Sequence, residues 1–118
     1  MQTRYTEIEA FITKDGSVIR ELMHPIRHVP SAMSVAEATV AAGATTHLHR
    51  HLASEEIYHF TAGSGTMRLG EHVFRVSCGD TVNIAAGTNH NVTNTGAGPM
   101  KIICVSHPPY SDEDTVLA

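Results

Sequence analysis

Histidines at alternate positions are the first indication of chemistry in this sequence, in the stretch THLHRHLASEEIYHF that begins at Thr46. In an extended strand, residues at alternate positions share one face, so His47, His49 and His51 would project together. Imidazole is the commonest metal ligand in proteins, and two imidazoles on one strand face can bind the same ion. The spacing therefore predicts a metal site, although a solvated strand without a metal would show the same periodicity.

A carboxylate could complete such a site, and two glutamates follow the histidines in a run of strand-forming residues. Glu55 and Glu56 are adjacent, so their side chains point to opposite faces of the strand and only one can join the histidines. Glu56 shares its face with Tyr58, whereas Glu55 shares its face with His59. Periodicity alone does not choose between them.

The composition is typical of a single globular domain with a net negative charge. The chain has 118 residues, 12 Asp and Glu, 8 Lys and Arg, and a net charge of −4. Without a basic stripe we expect no nucleic-acid partner. Without an apolar run of bilayer length or an N-terminal signal segment we expect a cytoplasmic protein that does not bind membranes. Cys78 and Cys104 lack C-x-x-C spacing, which argues against a thiolate zinc site.

Turn signals recur about every ten residues, which is typical of an all-β sandwich or barrel. Short runs such as HVFRV, TVNIA and MKIICVS lie between these turns, and several alternate apolar with polar residues. The alanine-rich segment 32–42 has a composition that would allow a helix, but its context favours a strand. Pro108 and Pro109 exclude the tail from a central strand, because proline lacks the N–H that a sheet requires.

Two longer patterns resemble the motifs of the cupin superfamily. The first motif, G-x5-H-x-H-x3,4-E-x6-G, has every anchor present in this chain: Gly43, His49, His51, Glu56 and Gly63. The second motif, G-x5-P-x-G-x2-H-x3-N, has every anchor except its proline: Gly79, Gly87, His90 and Asn94. Ala85 stands in place of that proline, which stiffens a turn and takes no part in chemistry.

The resemblance to small single-domain bacterial cupins implies an all-β double-stranded β-helix, which is a jelly-roll barrel of two antiparallel sheets. It implies one domain over 1–118, with N-terminal strands and a loop at 1–31, a barrel core with both motifs at 32–107, and a tail at 108–118. A homodimer is the expected assembly, with Tyr5 to Thr13 as the segment that pairs or exchanges, because small barrels leave sheet edges to be covered.

The resemblance also selects four ligands for one divalent transition metal per chain: His49, His51, Glu56 and His90. These donors suit Fe, Mn, Ni or Zn better than Ca or Mg. Three neutral nitrogens and one carboxylate leave the bound ion with positive charge, so that it acts as a Lewis acid. His47 and Tyr58 are the candidate catalytic residues, because few other bases are visible near the motifs. His47 could also be a further ligand or a rim residue, and Tyr58 could be plain core.

Cupins include dioxygenases, isomerases, decarboxylases, lyases and ligand sensors, so the family does not decide the reaction. We expect a metal-dependent enzyme with oxygenase-type chemistry on a small-molecule substrate. A non-oxidative isomerase or lyase, and a ligand-binding cupin without turnover, are the alternatives. A base on the substrate side of the metal would favour the isomerase or lyase, and an entirely apolar cavity would favour the oxygenase.

Polar residues outside the motifs are predicted mostly at the surface. His24 and His28 flank a proline loop, and His72 follows a Gly-Glu turn. Arg20 and Glu21 are adjacent in the otherwise apolar run SVIRELM, so one of them must point inward or towards a partner. Either could anchor an acidic substrate.

Overall fold

The computed structural model describes all 118 residues, and it is built almost entirely of β-strands. A 3₁₀ turn at Tyr5–Glu7 is its one helical element, so no helix is long and apolar enough to span a bilayer. Eleven strands follow in chain order: β1 Phe11–Ile12, β2 Val18–Met23, β3 Ser34–Val40, β4 His49–His51, β5 Glu55–Ala62, β6 Ser64–Leu69, β7 His72–Ser77, β8 Thr81–Ile84, β9 His90–Asn94, β10 Met100–His107 and β11 Thr115–Leu117.

The strands form two sheets, in which neighbouring strands are often not consecutive in the chain. The six-stranded sheet has the order β1-β2-β3-β10-β5-β8, and the five-stranded sheet has the order β11-β4-β9-β6-β7. Every pair is antiparallel. The chain crosses from one sheet to the other between β4 and β5, which carry the two halves of the first motif. The predicted all-β jelly roll of two antiparallel sheets is confirmed.

Alternation of residues decides which face each strand buries. In β5 the buried positions are Glu56, Tyr58 and Phe60, and the residues between them are exposed. The alanine-rich segment forms β3, with Ala36 and Ala38 buried, which confirms the strand that its context favoured. Small residues suit this strand because its inner face borders the cavity described below.

Thirteen buried apolar residues form one core cluster between the sheets, with Phe60, Met67 and Met100 fully inaccessible to solvent. Along β5 the inward-facing residues change from the polar Glu56 to the apolar Phe60, and along β10 they change from the polar Ser106 to the apolar Met100. The apolar core therefore occupies one end of the barrel, and buried polar residues occupy the other.

The two ends of the chain differ from their expected structure. The segment Tyr5 to Thr13 contains only the 3₁₀ turn and the two-residue strand β1, so it is not a continuous strand. The prolines of the tail lie outside any strand, but the chain then forms β11, which pairs with β4 at the sheet edge. The tail is therefore part of the wall beside the histidine strand.

Candidate metal centre and cavity

Three histidines from two neighbouring strands meet inside the barrel. His49 and His51 lie on β4, and His90 begins β9 directly opposite His49. The ring centroids of His49 and His90 are 4.2 Å apart, and those of His49 and His51 are 5.2 Å apart. One ring nitrogen from each histidine lies within 4.8 Å of the other two. All three side chains are buried, so the cluster is an internal site.

A tight turn before β9 positions His90 against β4. Gly87 has a φ of +80°, which a residue with a side chain would adopt only with strain. Its N–H donates to the carbonyl of His51 at 2.7 Å, and the N–H of Thr88 donates to the carbonyl of Ala85 at 3.2 Å. The turn is thus closed by hydrogen bonds although Ala85 replaces the motif's proline.

Hydrogen bonds at Nδ1 determine which nitrogen of His49 and His90 faces the cluster. Nδ1 of His49 is 2.8 Å from the carbonyl oxygen of His47, and Nδ1 of His90 is 2.9 Å from the carbonyl oxygen of Thr88. A carbonyl oxygen can only accept, so each Nδ1 carries the proton and donates it. The Nε2 atoms of both rings are therefore left with a free lone pair.

His51 reaches the same tautomer through a threonine. Its Nδ1 is 3.1 Å from Oγ1 of Thr115, and that hydroxyl donates its own proton to the carbonyl of Ser111 at 2.9 Å. Because this proton is used, the Thr115 oxygen accepts from Nδ1 of His51. All three imidazoles are thus held in the form that binds a metal through Nε2.

Glu56 brings a carboxylate to these nitrogens. Its Oε1 lies 3.0 Å from Nε2 of His51 and 3.6 Å from Nε2 of His90, and its Oε2 accepts from Oγ of Ser106 at 3.3 Å. Although these atoms are close, neither Oε1 of Glu56 nor Nε2 of His90 makes a hydrogen bond of acceptable geometry, and both are buried. Unpaired buried polar atoms are costly and rare, so the pair indicates a place for a cation.

The charges around Glu56 also favour a cation. Burial alone would raise the pKa of Glu56, but the neighbouring imidazoles of His51 and His90 lower it to about 2. Burial alone would lower the pKa of His51, but Glu56 outweighs it and raises that pKa. The pKa of His49 is lowered, first by burial and then by His90. A carboxylate that stays charged among neutral rings is balanced by a proton on His51 or by a metal ion.

The structure brings together the four side chains that the motifs select as ligands. Three imidazole nitrogens and a carboxylate oxygen are a donor set that suits a transition-metal ion. Each ligand is oriented by a partner on its far side: His47 and Thr88 through their carbonyls, Thr115 and Ser106 through their hydroxyls.

A narrow cavity extends from the cluster along the inner face of the six-stranded sheet. The space that the centre of a water-sized sphere can occupy is about 40 Å³, and one water needs about 10–15 Å³ of such space. The cavity therefore suits a ligand of a few non-hydrogen atoms. Six of its 16 lining residues are hydrophobic, and the lining includes Asp15, Glu21 and Glu56 but no Lys or Arg.

Asp15 is a cavity carboxylate that the sequence indicated only as part of an Asp-Gly turn. Its Oδ1 accepts from the hydroxyl of Thr13 at 2.9 Å and from the N–H and Oγ of Ser17 at 2.9 and 2.7 Å. Its Oδ2 lies 3.9 Å from Nε2 of His49. One oxygen is thus anchored in the turn, and the other is directed towards the histidines.

The two predicted catalytic residues lie in different places. Tyr58 lines the cavity, with its ring edge-on to His90 at a centroid distance of 5.7 Å. Burial, and then Glu56, raise the pKa of Tyr58 well above its ordinary value, so the phenol stays protonated. His47 precedes β4, its side chain is exposed, and it does not line the cavity. The expected shared face with His49 is absent because the extended strand begins only at His49.

Glu21, not Arg20, is the charged residue of β2 that points inward. The guanidinium of Arg20 lies 5.1 Å from the ring centroid of Tyr5, whereas Glu21 is buried and lines the cavity. Oε2 of Glu21 has no hydrogen-bond partner. Burial raises the pKa of Glu21, against the opposing charges of His24 and Arg27.

His24 is buried, so its predicted surface position is wrong. Its Nδ1 accepts from the N–H of Ile26 at 3.2 Å, which leaves the proton on Nε2 to be donated to the carbonyl of Tyr110 at 2.8 Å. This contact joins residues 86 positions apart, so no local pattern could reveal it. His72 is exposed, as predicted, and His59 is exposed as well.

Two comparisons relate this sequence to known proteins. The model of the family described as Cupin domain matches residues 36–106. The chain is also 49% identical over 115 residues to the uncharacterized protein MJ1618 of Methanocaldococcus jannaschii, which covers 98% of this chain and 92% of that protein. This relative shares almost the whole chain.

Solved structures share the fold at much lower identity. Pac13 of Streptomyces, a nucleoside dehydratase, has a TM-score of 0.80 at 16% identity and covers 100% of this chain and 90% of its own. A predicted oxalate decarboxylase of Thermotoga maritima has a TM-score of 0.77 at 22% identity, covering 92% of this chain and 99% of its own. At these identities the likeness establishes the fold alone.

Proposed function

Because this chain belongs to the cupin domain family, we propose that it is a metal-dependent enzyme that performs acid–base chemistry on a small organic substrate. One observation carries the proposal. Three histidines and Glu56 converge inside the barrel with unpaired buried atoms, and the cavity beside them is lined by further carboxylates.

The four residues that would hold one divalent transition metal, Fe, Mn, Ni or Zn, are His49, His51, Glu56 and His90. When bound, such an ion supplies Lewis acidity that polarises an oxygen of the substrate. The chain's own contribution is to hold the donors in advance. Hydrogen bonds to the far side of each ring set the tautomer, and such partners typically matter for metal affinity as well as orientation.

Proton transfer is the reaction type that the cavity lining supports. The sequence favoured oxygenase chemistry because few bases were visible, whereas the cavity adds Asp15 and Glu21. We assign Asp15 as the base, because its Oδ1 is anchored and its Oδ2 is directed at the cluster. Tyr58 stays protonated and supplies a donor. The cavity lining therefore supports the alternative of an isomerase or lyase.

A catalytic part for His47 stays a prediction, because its side chain would have to turn inward from an exposed position. Its backbone supports the site instead. The carbonyl of His47 accepts from Nδ1 of His49, and its N–H donates to the carbonyl of Asp15 at 2.7 Å. We therefore expect His47→Gln to retain both metal and turnover, and a loss of turnover with metal retained would restore the catalytic role.

Elemental analysis of protein purified without a chelator or a nickel column tests the metal. We expect one divalent transition-metal ion per chain. His49→Ala and His90→Ala should each abolish stoichiometric metal, because each removes one of only four donors. His59→Ala, which removes an exposed histidine from β5, is the matched control and should keep the metal. Full occupancy in His90→Ala would refute the assignment.

Two assays on metal-loaded protein separate the possible reactions, using a panel of small hydroxycarbonyl compounds and carboxylic acids. Exchange of substrate C–H protons for deuterium, followed by NMR in heavy water, reports acid–base chemistry, and an oxygen electrode reports dioxygen uptake. We expect exchange, and we expect Asp15→Asn to lose it while keeping its metal. Uptake of dioxygen without exchange would support the oxygenase, and binding without either would support a ligand-binding cupin.

We also propose a homodimer that forms through the N-terminal strand. β1 is an edge strand of the six-stranded sheet, and Ile12 on it is 72% exposed. An exposed edge with an apolar side chain is a template for pairing. Light scattering should show a dimer that becomes a monomer in Ile12→Asp. Val73→Asp on β7, the edge of the other sheet where Val73 is 70% exposed, should remain dimeric. A monomeric parent protein contradicts the proposal.

A further inference from the structure

Buried side-chain atoms without a hydrogen-bond partner are concentrated around the cavity. Four of the five in the structure lie in its wall or in the histidine cluster. Two of them, Oε1 of Glu56 and Nε2 of His90, would be satisfied by the proposed metal ion. The other two, Oε2 of Glu21 and the hydroxyl of Tyr110, have no part in the metal site. Each is a buried polar group that lines the cavity with its hydrogen-bonding capacity unused.

A row of cross-strand neighbours places Glu21 on the far side of the cavity from the metal ligands. Tyr58 of β5, Cys104 of β10, Ala36 of β3 and Glu21 of β2 lie side by side across the six-stranded sheet, and all four line the cavity. Neighbouring strands are about 4.8 Å apart, so the backbones of β5 and β2 are roughly 14 Å apart. Glu56 on β5 and Glu21 on β2 therefore face the cavity from opposite sides, with a small ligand's length between them.

Tyr110 is held over the cavity by its backbone, which leaves its hydroxyl free. Nε2 of His24 donates to its carbonyl at 2.8 Å, and its N–H donates to Oγ of Ser34 at 2.9 Å. The ring stands edge-on to His51 at a centroid distance of 5.9 Å. The phenol therefore lines the cavity beside His51, and it is not needed to hold the tail.

Charge restricts the kind of ligand that these groups can bind. The lining carries the carboxyl groups of Asp15, Glu21 and Glu56 and no Lys or Arg, so an anionic ligand would meet like charge away from the metal ligands. The unpaired carboxyl oxygen of Glu21 can accept a hydrogen bond, and the hydroxyl of Tyr110 can donate one as well as accept. This combination matches an uncharged hydroxyl group, which both donates and accepts.

We propose that Glu21 and Tyr110 form a substrate subsite that binds the hydroxyl of a small, uncharged hydroxycarbonyl compound whose other end reaches the metal ligands. The inference rests on the proposed function, because the metal defines that other end. It narrows the substrate class to neutral hydroxylated compounds and excludes dicarboxylates.

Isothermal titration calorimetry with dihydroxyacetone and hydroxyacetone, which keeps the hydroxycarbonyl end but lacks the second hydroxyl, tests the subsite. The titrations use metal-loaded protein whose metal content is measured in the same samples. We expect dihydroxyacetone to bind more tightly than hydroxyacetone. Tyr110→Phe should weaken dihydroxyacetone binding about three- to tenfold, the usual worth of one hydrogen bond. Tyr5→Phe, at an exposed tyrosine outside the cavity, is the matched control and should change nothing.

Two substitutions at Glu21 separate a hydrogen-bonding role from a charged or structural one. Glu21→Gln keeps a donor and an acceptor, so most of the dihydroxyacetone affinity should remain, whereas Glu21→Leu should lose it at least about tenfold. The unpaired carboxyl also destabilises the ligand-free protein, so Glu21→Leu should raise the Tm while it weakens binding. A lower Tm with unchanged binding would make Glu21 a structural residue and overturn the subsite.

Failure of the subsite and failure of the metal site give different results. The subsite is overturned if protein with its full metal content does not bind dihydroxyacetone, if it binds hydroxyacetone equally well, or if the Glu21→Leu variant binds dihydroxyacetone as tightly as the parent protein. Each of those results leaves the metal centre intact. A protein that takes up no metal overturns the proposed function, and the subsite inference is overturned with it.

Discussion

The hydroxyl of Thr115 links the C-terminal strand to the metal ligands, and its removal should weaken metal binding without disturbing the barrel. Thr115 stands opposite His51 in the pairing of β11 with β4, and it is 3% exposed. Its Oγ1 accepts from Nδ1 of His51 and donates to the carbonyl of Ser111. Valine in its place keeps the β-branched shape that a strand favours but breaks both hydrogen bonds.

The expected loss of metal affinity in Thr115→Val follows from the loss of the hydrogen bond at Nδ1 of His51. Removing the group that orients a ligating histidine typically costs about 10- to 100-fold in metal affinity. That range corresponds to about 1.4–2.8 kcal/mol of binding free energy. Thr115→Val also leaves Nδ1 of the buried His51 without its partner, and a buried unsatisfied group costs about 1–3 kcal/mol. The free energy of unfolding of the metal-free protein should fall accordingly.

Competition with a chromophoric chelator measures the Kd of the metal for the parent and for each variant. Thr115→Ser keeps the hydroxyl and should bind metal nearly as the parent does. Thr81→Val is the matched control, because Oγ1 of Thr81 is 2.8 Å from Nδ1 of the exposed His59, outside the site. It removes the same type of threonine–histidine contact and should leave the Kd unchanged.

An unchanged Kd in a folded Thr115→Val protein would refute the tautomer argument for His51. The imidazole would then be oriented without a donor bond at Nδ1, and the relay through Thr115 would have no role in metal binding. Urea unfolding of the same sample shows whether the protein is folded, so a loss of affinity through unfolding is distinguished from a loss through misorientation.

Three further results are expected. Gly65→Ala should lower the free energy of unfolding by about 1–3 kcal/mol or more, because a Cβ there would lie 1.9 Å from the carbonyl oxygen of Thr93. Urea unfolding measures this change, and Gly98→Ala, where a Cβ would meet open space, is the control. Equal stability of the parent and Gly65→Ala would contradict the packing. Metal affinity should fall as the pH drops through about 6.5, because imidazole must be neutral to bind a metal. Proton competition should begin at higher pH for His51 than for an isolated histidine, since Glu56 outweighs burial and raises its pKa; metal fully retained below about pH 5 argues for other ligands. Dialysis against EDTA should lower the Tm. If the free metal concentration before dialysis is 100-fold above the Kd, the lost stabilisation is about 2.7 kcal/mol of unfolding free energy. An unchanged Tm in calorimetry would argue against a bound metal.

The sequence by itself determined the architecture and grouped four side chains that lie close together in the structure. Alternation along β5 decides which residues are buried, and this depends only on neighbours two positions apart. The motif spacing selected Glu56 over Glu55, and β5 indeed buries Glu56 and exposes Glu55. Turn positions were equally visible, because a positive φ such as that of Gly87 favours glycine. These features are local, so the order of residues encodes them directly.

Only the tertiary structure decided what surrounds those four side chains. Asp15, Glu21, Tyr110 and Thr115 lie outside both motifs, and they reach the cavity because β2, the Asp-Gly turn and the C-terminal tail pack around it. For His47 the local pattern was misleading. It is a histidine in alternation with His49 and His51, but it lies before β4, where its N–H donates to the carbonyl of Asp15. Spacing along one strand decides which way a side chain points. Which distant strands share a cavity depends on how the two sheets pack, and no local pattern in the sequence records that.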